Sequence, residues 1–252
     1  MKTRKLIIAI VFAAAFVFPV YAQDRLGVNE IVDRMDKLYR SDTSEGRIEM
    51  TIATENWKRT IAMNIWSEGL DKTFIHITGP KKDAGITTLR KKTEMWNYFP
   101  KINKVMKVPP SMMMSSWMGS DFTNDDLIKE SSMTRDYNAR LINPEDAKQE
   151  NYYIELVPQK DIPIVWARII IVVRKKDYIP VEQSYFDEKG RKMRVMTFSE
   201  VKKFNNRSIP SLLEMRQLNK PGKKTVIRYI DIQFDLELKL DVFTLRNLQR
   251  KR

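Results

Sequence analysis

Arg47-Ile48-Glu49-Met50-Thr51-Ile52, then Thr60-Ile61-Ala62-Met63-Asn64-Ile65, is the stretch whose reading decides the fold. Apolar side chains fall on every second position, the period at which a strand turns one face to a core. Ile75 and Ile77 continue the pattern, and Glu55-Asn56, Glu68-Gly69 and Gly79-Pro80 supply turns between the runs. Upstream, Val28, Ile31, Met35, Leu38 and Tyr39 recur at helical spacing and predict an amphipathic helix over 28–40, with a turn-rich exit from Ser41 to Gly46. Downstream, Tyr152, Ile154 and Leu156 restore the period of two. Ile169-Ile170-Ile171-Val172-Val173 predicts a central strand covered on both sides. Further strands are expected over 179–187, 191–204, 208–218 and 223–234, and Leu236, Leu238 and Leu240 predict a last one. Phe243 and Leu248 then form a terminal turn or helix packed on the sheet. The total is ten or eleven strands, with no Pro-, Gly- or Ser-rich linker and no repeat. One domain over 23–252 is expected, built on a strongly curved antiparallel sheet, because long flat sheets curl or split.

Composition removes much chemistry. The 252 residues contain no cysteine, one histidine and eight glycines. There is no thiol nucleophile, disulfide or Cys-ligated zinc, and only His76 could serve a Ser-His triad. His76 alternates with Ile75 and Ile77 and reads as a structural histidine. None of the glycine-rich phosphate loops, zinc-protease or nucleophile-elbow motifs occurs. No enzyme activity, cofactor or metal is expected.

The first 22 residues read as an address. Lys2, Arg4 and Lys5 precede the apolar run Leu6–Val20, and Val20-Tyr21-Ala22 places small residues for a cut before Gln23. This is the pattern of a cleaved signal peptide, the apolar run being shorter than the roughly 20 residues of a membrane span. Without cysteine no acyl anchor follows. Export without disulfides fits a periplasm. The formal charge of +13 is then directed at anionic lipid or an acidic protein face rather than at nucleic acid.

Met95–Asp126 interrupts the strand pattern and reads as neither a strand nor an ordinary loop. Five of the 14 methionines lie between 106 and 118. Methionine suits surfaces that meet apolar partners of variable shape. Trp96, Tyr98, Met112, Met113, Met114, Trp117, Met118 and Phe122 are the candidates for a lid or lining over an apolar ligand; a static plug at the open end of a barrel is the alternative. Lys101, Lys104 and Lys107 are candidates for docking an anionic surface, against a plain role as solvated charges on a strand edge. Asp121, Asp125 and Asp126 invite a metal reading, but Thr123 as a helix cap with two acids in the first turn accounts for them better. The clusters Arg191, Lys192, Arg194 and Lys220, Lys223, Lys224 read as mostly solvated.

Trp96-x-Tyr98-x-Pro100, the basic stretch to Lys107, Ser116-Trp117-Met118-Gly119-Ser120-Asp121-Phe122 with Asp125-Asp126, and Asp241-x-Phe243-Thr244 together resemble the outer-membrane lipoprotein-sorting-protein-like family. These are periplasmic relatives of the lipoprotein carrier LolA. The resemblance covers roughly 28–248. It implies an α+β fold: a single half-open antiparallel β-barrel with helices over its concave face. It further implies a cavity for acyl chains, a lipid or lipoprotein cargo, and a membrane partner that includes RND-type exporters. It carries no catalytic residue set. A periplasmic carrier is the leading expectation; a non-transporting sensor or adaptor that binds a membrane protein's periplasmic domain is the alternative. Cargo, direction of transfer and oligomeric state are left open.

Overall fold

The computed structural model describes residues 26–128, 133–160 and 165–250. The expected signal peptide and its cleavage site lie outside them. The elements run α1 (Val28–Asp36), β1 (Thr43–Ala53), β2 (Lys58–Glu68), β3 (Lys72–Gly79), β4 (Thr87–Lys91), β5 (Glu94–Phe99) and β6 (Lys104–Lys107). Two short helices follow, α2 (Asn124–Ile128) and α3 (Met133–Asp136). Then come β7 (Tyr137–Ile142), β8 (Asn151–Pro158), β9 (Arg168–Arg174), β10 (Pro180–Phe186), β11 (Lys192–Phe204), β12 (Arg207–Gln217), β13 (Lys224–Phe234) and α4 (Leu245–Leu248).

All thirteen strands form one antiparallel sheet, ordered β6-β5-β4-β3-β2-β1-β13-β12-β11-β10-β9-β8-β7. Each half of the chain lays its strands side by side, and β13 returns to pair with β1. The two edges are therefore β6 and β7, which are consecutive in the chain. They do not pair with each other, so the curled sheet is a half-open barrel. The connection between them, 108–136, has to cross from one edge to the other.

The inner face carries a continuous apolar lining in two parts. Ile154, Leu156, Ile169, Ile171, Val173, Tyr185 and Met215 receive α1 through Ile31, Val32 and Met35. Ile48, Met50, Ile52, Ile61, Met63, Ile75, Ile77 and Met95 receive Val108 and Trp117 from the crossing segment. On the outer face Phe74 and Leu89 are covered by Phe243 and Leu248, as expected for the C-terminal turn. A bulge opposite Arg47/Ile48, with Ile230 as the extra residue, bends β13 against β1. Gly46 beside it has a physical reason to be glycine, since a Cβ there would stand 2.9 Å from the Asp231 carbonyl oxygen.

Several expectations are corrected. The N-terminal helix ends at Asp36 rather than at residue 40, and the backbone turns over Lys37–Tyr39. β1 starts at Thr43, inside the expected turn. The 95–126 interruption contains β5 and β6. All four β6 side chains are exposed, so no apolar alternation marks it. β9 is buried on one face only, with Ile170 and Val172 half-buried, and it lies third from an edge rather than centrally. Leu236–Leu240 is not a strand. Both sides of β13 are already occupied, by β1 and β12, and the chain has left the sheet.

Candidate functional site

The crossing segment is built as a cap. Trp117 N–H donates to the Phe122 carbonyl at 2.8 Å and Ser120 N–H to the Trp117 carbonyl at 2.9 Å. The reversal passes through Met118 (φ 52°) and Gly119 (φ 78°), two successive left-handed residues, of which only the glycine adopts that region freely. Trp117, 5% exposed, enters the inner core formed by β1, β2, β3 and β5. Phe122, five residues on, packs on the other half of the core. The motif thus spans both halves of the concave face.

Two polar anchors hold it. Asp121 is buried; its N–H donates to Thr225 Oγ1 at 2.9 Å, and that hydroxyl donates to Asp121 Oδ2 at 2.7 Å. Lys223 Nζ stands 3.5 Å from Asp121 Oδ1, at ion-pair distance without a hydrogen bond, and donates to the Gly119 carbonyl at 3.0 Å. Thr225→Val removes both Thr225 bonds and is expected to cost about 1–3 kcal/mol, whereas Thr225→Ser keeps the hydroxyl and most of the stability; urea denaturation measures both.

The second anchor begins as the expected helix cap. Thr123 Oγ1 accepts from Asp126 N–H at 3.0 Å, and Asp126 Oδ2 accepts from Thr123 N–H at 2.8 Å, a reciprocal box at the start of α2. The same carboxylate takes a bidentate pair from Arg194 on β11, at 2.7 and 2.8 Å. Arg194 is 5% exposed, which corrects its reading as a solvated charge. Its guanidinium lies between Trp166 (4.5 Å) and Tyr185 (4.2 Å). Burial alone favours the neutral acid at Asp126, but the Arg194 and Thr123 hydrogen bonds and the Arg194 charge hold its carboxyl below the usual range. Burial pushes the Tyr185 phenol up to about 12, opposed by the Arg194 charge; the phenol donates to Gln183 Oε1 at 3.0 Å.

Two cavities lie on the concave face. One, of about 240 Å³, is lined mainly by apolar groups, among them Met35, Ile48, Ile171, Met196, Phe198 and Leu213, with Asp36, Arg40 and Ser67 at its polar parts. The other, of about 270 Å³, is lined by Phe122, Asp125, Asp126, Trp166, Tyr185 and Arg194, among others. Arg40, Met133, Gln183 and Met196 line both. Arg40 pairs with Asp36 at 3.1 Å, one helical turn away on the exit from α1.

The sequence-derived candidates separate by place. Met113 and Met118 pack partly buried beside Trp117, while Met112 and Met114 are half exposed. Of the candidates among the described residues, Phe122 alone lines either of these two cavities. Trp96 and Tyr98 belong to the outer cluster, with Phe74 and Leu89. Met95 points inward, so Trp96 and Tyr98, one and three residues further along the strand, point outward, away from the cavities. Lys101, Lys104 and Lys107 are exposed on the β5–β6 edge. His76 faces outward opposite Asn64 and Thr87. Arg194, Trp166, Gln183, Met196 and Arg40 were not singled out as site residues. Their meeting depends on pairing across strands, which a single sequence does not display. Among the described residues no cluster of three His, Asp or Glu side chains could hold a metal ion, and no helix is long and apolar enough to cross a membrane.

Three solved structures share this fold. A DUF1329 family protein from Desulfovibrio piger matches with a TM-score of 0.78 at 23% identity, over 87% of this chain and 97% of its own. An outer membrane lipoprotein-sorting protein domain from Vibrio parahaemolyticus matches with a TM-score of 0.75 at 20% identity, over 88% and 98%. A LolA superfamily protein from Nitrosomonas europaea matches with a TM-score of 0.73 at 18% identity, over 88% and 99%. No curated protein matches the chain. A family model described as "Uncharacterized protein" matches residues 69–250, well over half of the sequence, from the end of β2 through α4. That match makes the chain a member of this family of uncharacterized proteins, and its half-open sheet is the fold of the three structures, the LolA superfamily protein among them.

Proposed function

We propose that the protein is an exported, periplasmic carrier that shelters the acyl part of a lipid or lipoprotein on its concave face and passes it to or from a membrane partner, an RND-type exporter being the expected class. The observation that carries this reading is the pair of adjoining cavities under α1 and the cap, one apolar and the other lined by charged and aromatic groups. An amphiphile needs both environments. The work is burial without covalent chemistry. Each methylene removed from water contributes about 0.8 kcal/mol, so a few carbons beneath Met196 and Leu213 give useful affinity. The name of the Vibrio parahaemolyticus relative points the same way, as does the N-terminal segment with its charged start and apolar run.

Mass spectrometry of lipid extracted from gently purified protein tests the reading, and a stoichiometric acylated species is the expected result. Met196→Trp should narrow both cavities. If it displaces about two methylenes, affinity for a fluorescent fatty acid falls roughly 15-fold while the protein stays folded. An empty cavity together with a stable complex with a membrane protein's periplasmic domain would instead establish the adaptor.

A further inference from the structure

We propose that the β5–β6 edge hairpin docks the protein on an anionic bilayer. Its tip is Lys101-Ile102-Asn103-Lys104, a 3-10 turn leaving through the left-handed Asn103. Ile102 is 57% exposed and Met106 52%, and Val105 is exposed between them. Lysines at a sheet edge serve to block pairing with other strands, and that role accounts for Lys101, Lys104 and Lys107. It does not account for three large apolar side chains left in water among them. Charge supplies the second observation. From Met95 to Ser120 the sequence contains three lysines and no acid. Some lysines on other strands are paired within the sheet, as in Lys72–Glu68, Lys192–Glu182 and Lys224–Glu214. Here Lys107 is held by Glu94 across the hairpin, while Lys101 and Lys104 have no ion-pair partner among the described residues.

Alternating cationic and apolar side chains at an exposed tip match the layered chemistry of a lipid surface. Ammonium groups meet phosphates, and short apolar side chains enter the acyl boundary. Trp96 and Tyr98 lie on the adjoining strand, and the Tyr98 hydroxyl donates to Asn103 Oδ1 at 3.1 Å, which steadies the tip. An acidic protein face would satisfy the lysines but has no use for Ile102 and Met106 flanking them.

The proposal rests on this surface and not on the cavities, so the test uses vesicles without added cargo. The chain from Gln23 onward retains every described element and has no cysteine. An environment-sensitive fluorophore can therefore be placed at Ile102→Cys, with the exposed Leu218→Cys as control. Vesicles containing phosphatidylglycerol should blue-shift the probe at 102 and leave the probe at 218 unchanged, whereas phosphatidylcholine vesicles should shift neither. In the unlabelled chain, Lys101→Gln with Lys104→Gln should weaken sedimentation with the anionic vesicles about thirty-fold. Ile102→Ser with Met106→Ser should weaken it further at high salt, where the charge contribution is screened. Met196→Trp should leave vesicle binding unchanged, which separates docking from carriage. Absence of binding to anionic vesicles at low salt, an equal shift at 218, or undiminished binding after loss of the two lysines would each overturn the proposal.

Discussion

Trp117→Ala is expected to lower the unfolding free energy by about 3–5 kcal/mol, the range for truncating a large buried aromatic. Trp117 belongs to the inner core cluster with Met50, Ile61, Met63 and Ile77, and among the described residues it is the least exposed apolar side chain of the crossing segment. The flanking methionines divide sharply from it. Met112→Ser and Met114→Ser, at half-exposed positions, should change stability by no more than about 0.5 kcal/mol. Met113→Ser should fall between, since Met113 packs only partly buried beside the tryptophan. Urea unfolding ranks the four variants, and equal costs at 112, 114 and 117 would refute this division. Hydrogen exchange carries the ranking into mechanism. As a plug over the cavities, 112–122 should exchange faster than β1 and β13 without ligand and slow when a long-chain fatty acid is bound. Protection equal to that of the strands, indifferent to ligand, would make the segment core alone and remove the moving cap from the carrier reading.

The inner face of the sheet was legible because burial there follows residue type at a fixed period. Ile48, Met50, Ile52, Ile61, Met63, Ile75 and Ile77 all point where alternation puts them. Strands whose side chains are all exposed, such as Lys104–Lys107, carry no such signal and are held by one neighbour's backbone. The Leu236–Leu240 alternation misleads for the converse reason. Period two describes an extended chain, but a strand also needs a free sheet edge, and none remains beside β13. The candidate site was legible as a segment and not as a set of partners. Trp117 and Phe122 could be singled out from local composition, and the Thr123 cap from spacing. The Thr225 hydroxyl under Asp121 and the Arg194 guanidinium against Asp126 lie 104 and 68 residues away in sequence. Arg194 also sits among Arg191 and Lys192, which hid its buried guanidinium in an ordinary basic cluster. The face occupied by Trp96 and Tyr98 was knowable in principle, because fixing Met95 inward fixes both outward.

Arg194→Met carries the second large expectation, a loss of about 3–5 kcal/mol at neutral pH. The methionine can fill much of the slot between Trp166 and Tyr185, so lost packing is the smaller part. The larger part is the Asp126 carboxylate, left with only the Thr123 box and α2's own backbone to support its charge. Acidity then separates the two proteins. In the intact chain Asp126 has a depressed folded value. The pair's contribution is therefore complete above the unfolded carboxylate pKa, about 3.9, and is lost as pH falls through the folded value. In Arg194→Met the Arg194 hydrogen bonds and charge are gone and burial is opposed only by the Thr123 box, so the folded carboxyl is less depressed and the variant loses less on acidification. The gap between the two proteins should accordingly be widest near neutrality and close below about pH 4. Adding Asp126→Leu should restore much of the stability at pH 7, since it removes the buried charge together with its lost partner. It should not restore the bond between α2 and β11, so exchange of 112–128 should stay fast in the double variant even where global stability recovers. A single variant that costs under about 1 kcal/mol, with a gap that does not move with pH, would mean that Asp126 is solvated when unpaired and that the pair does not hold the cap to the sheet.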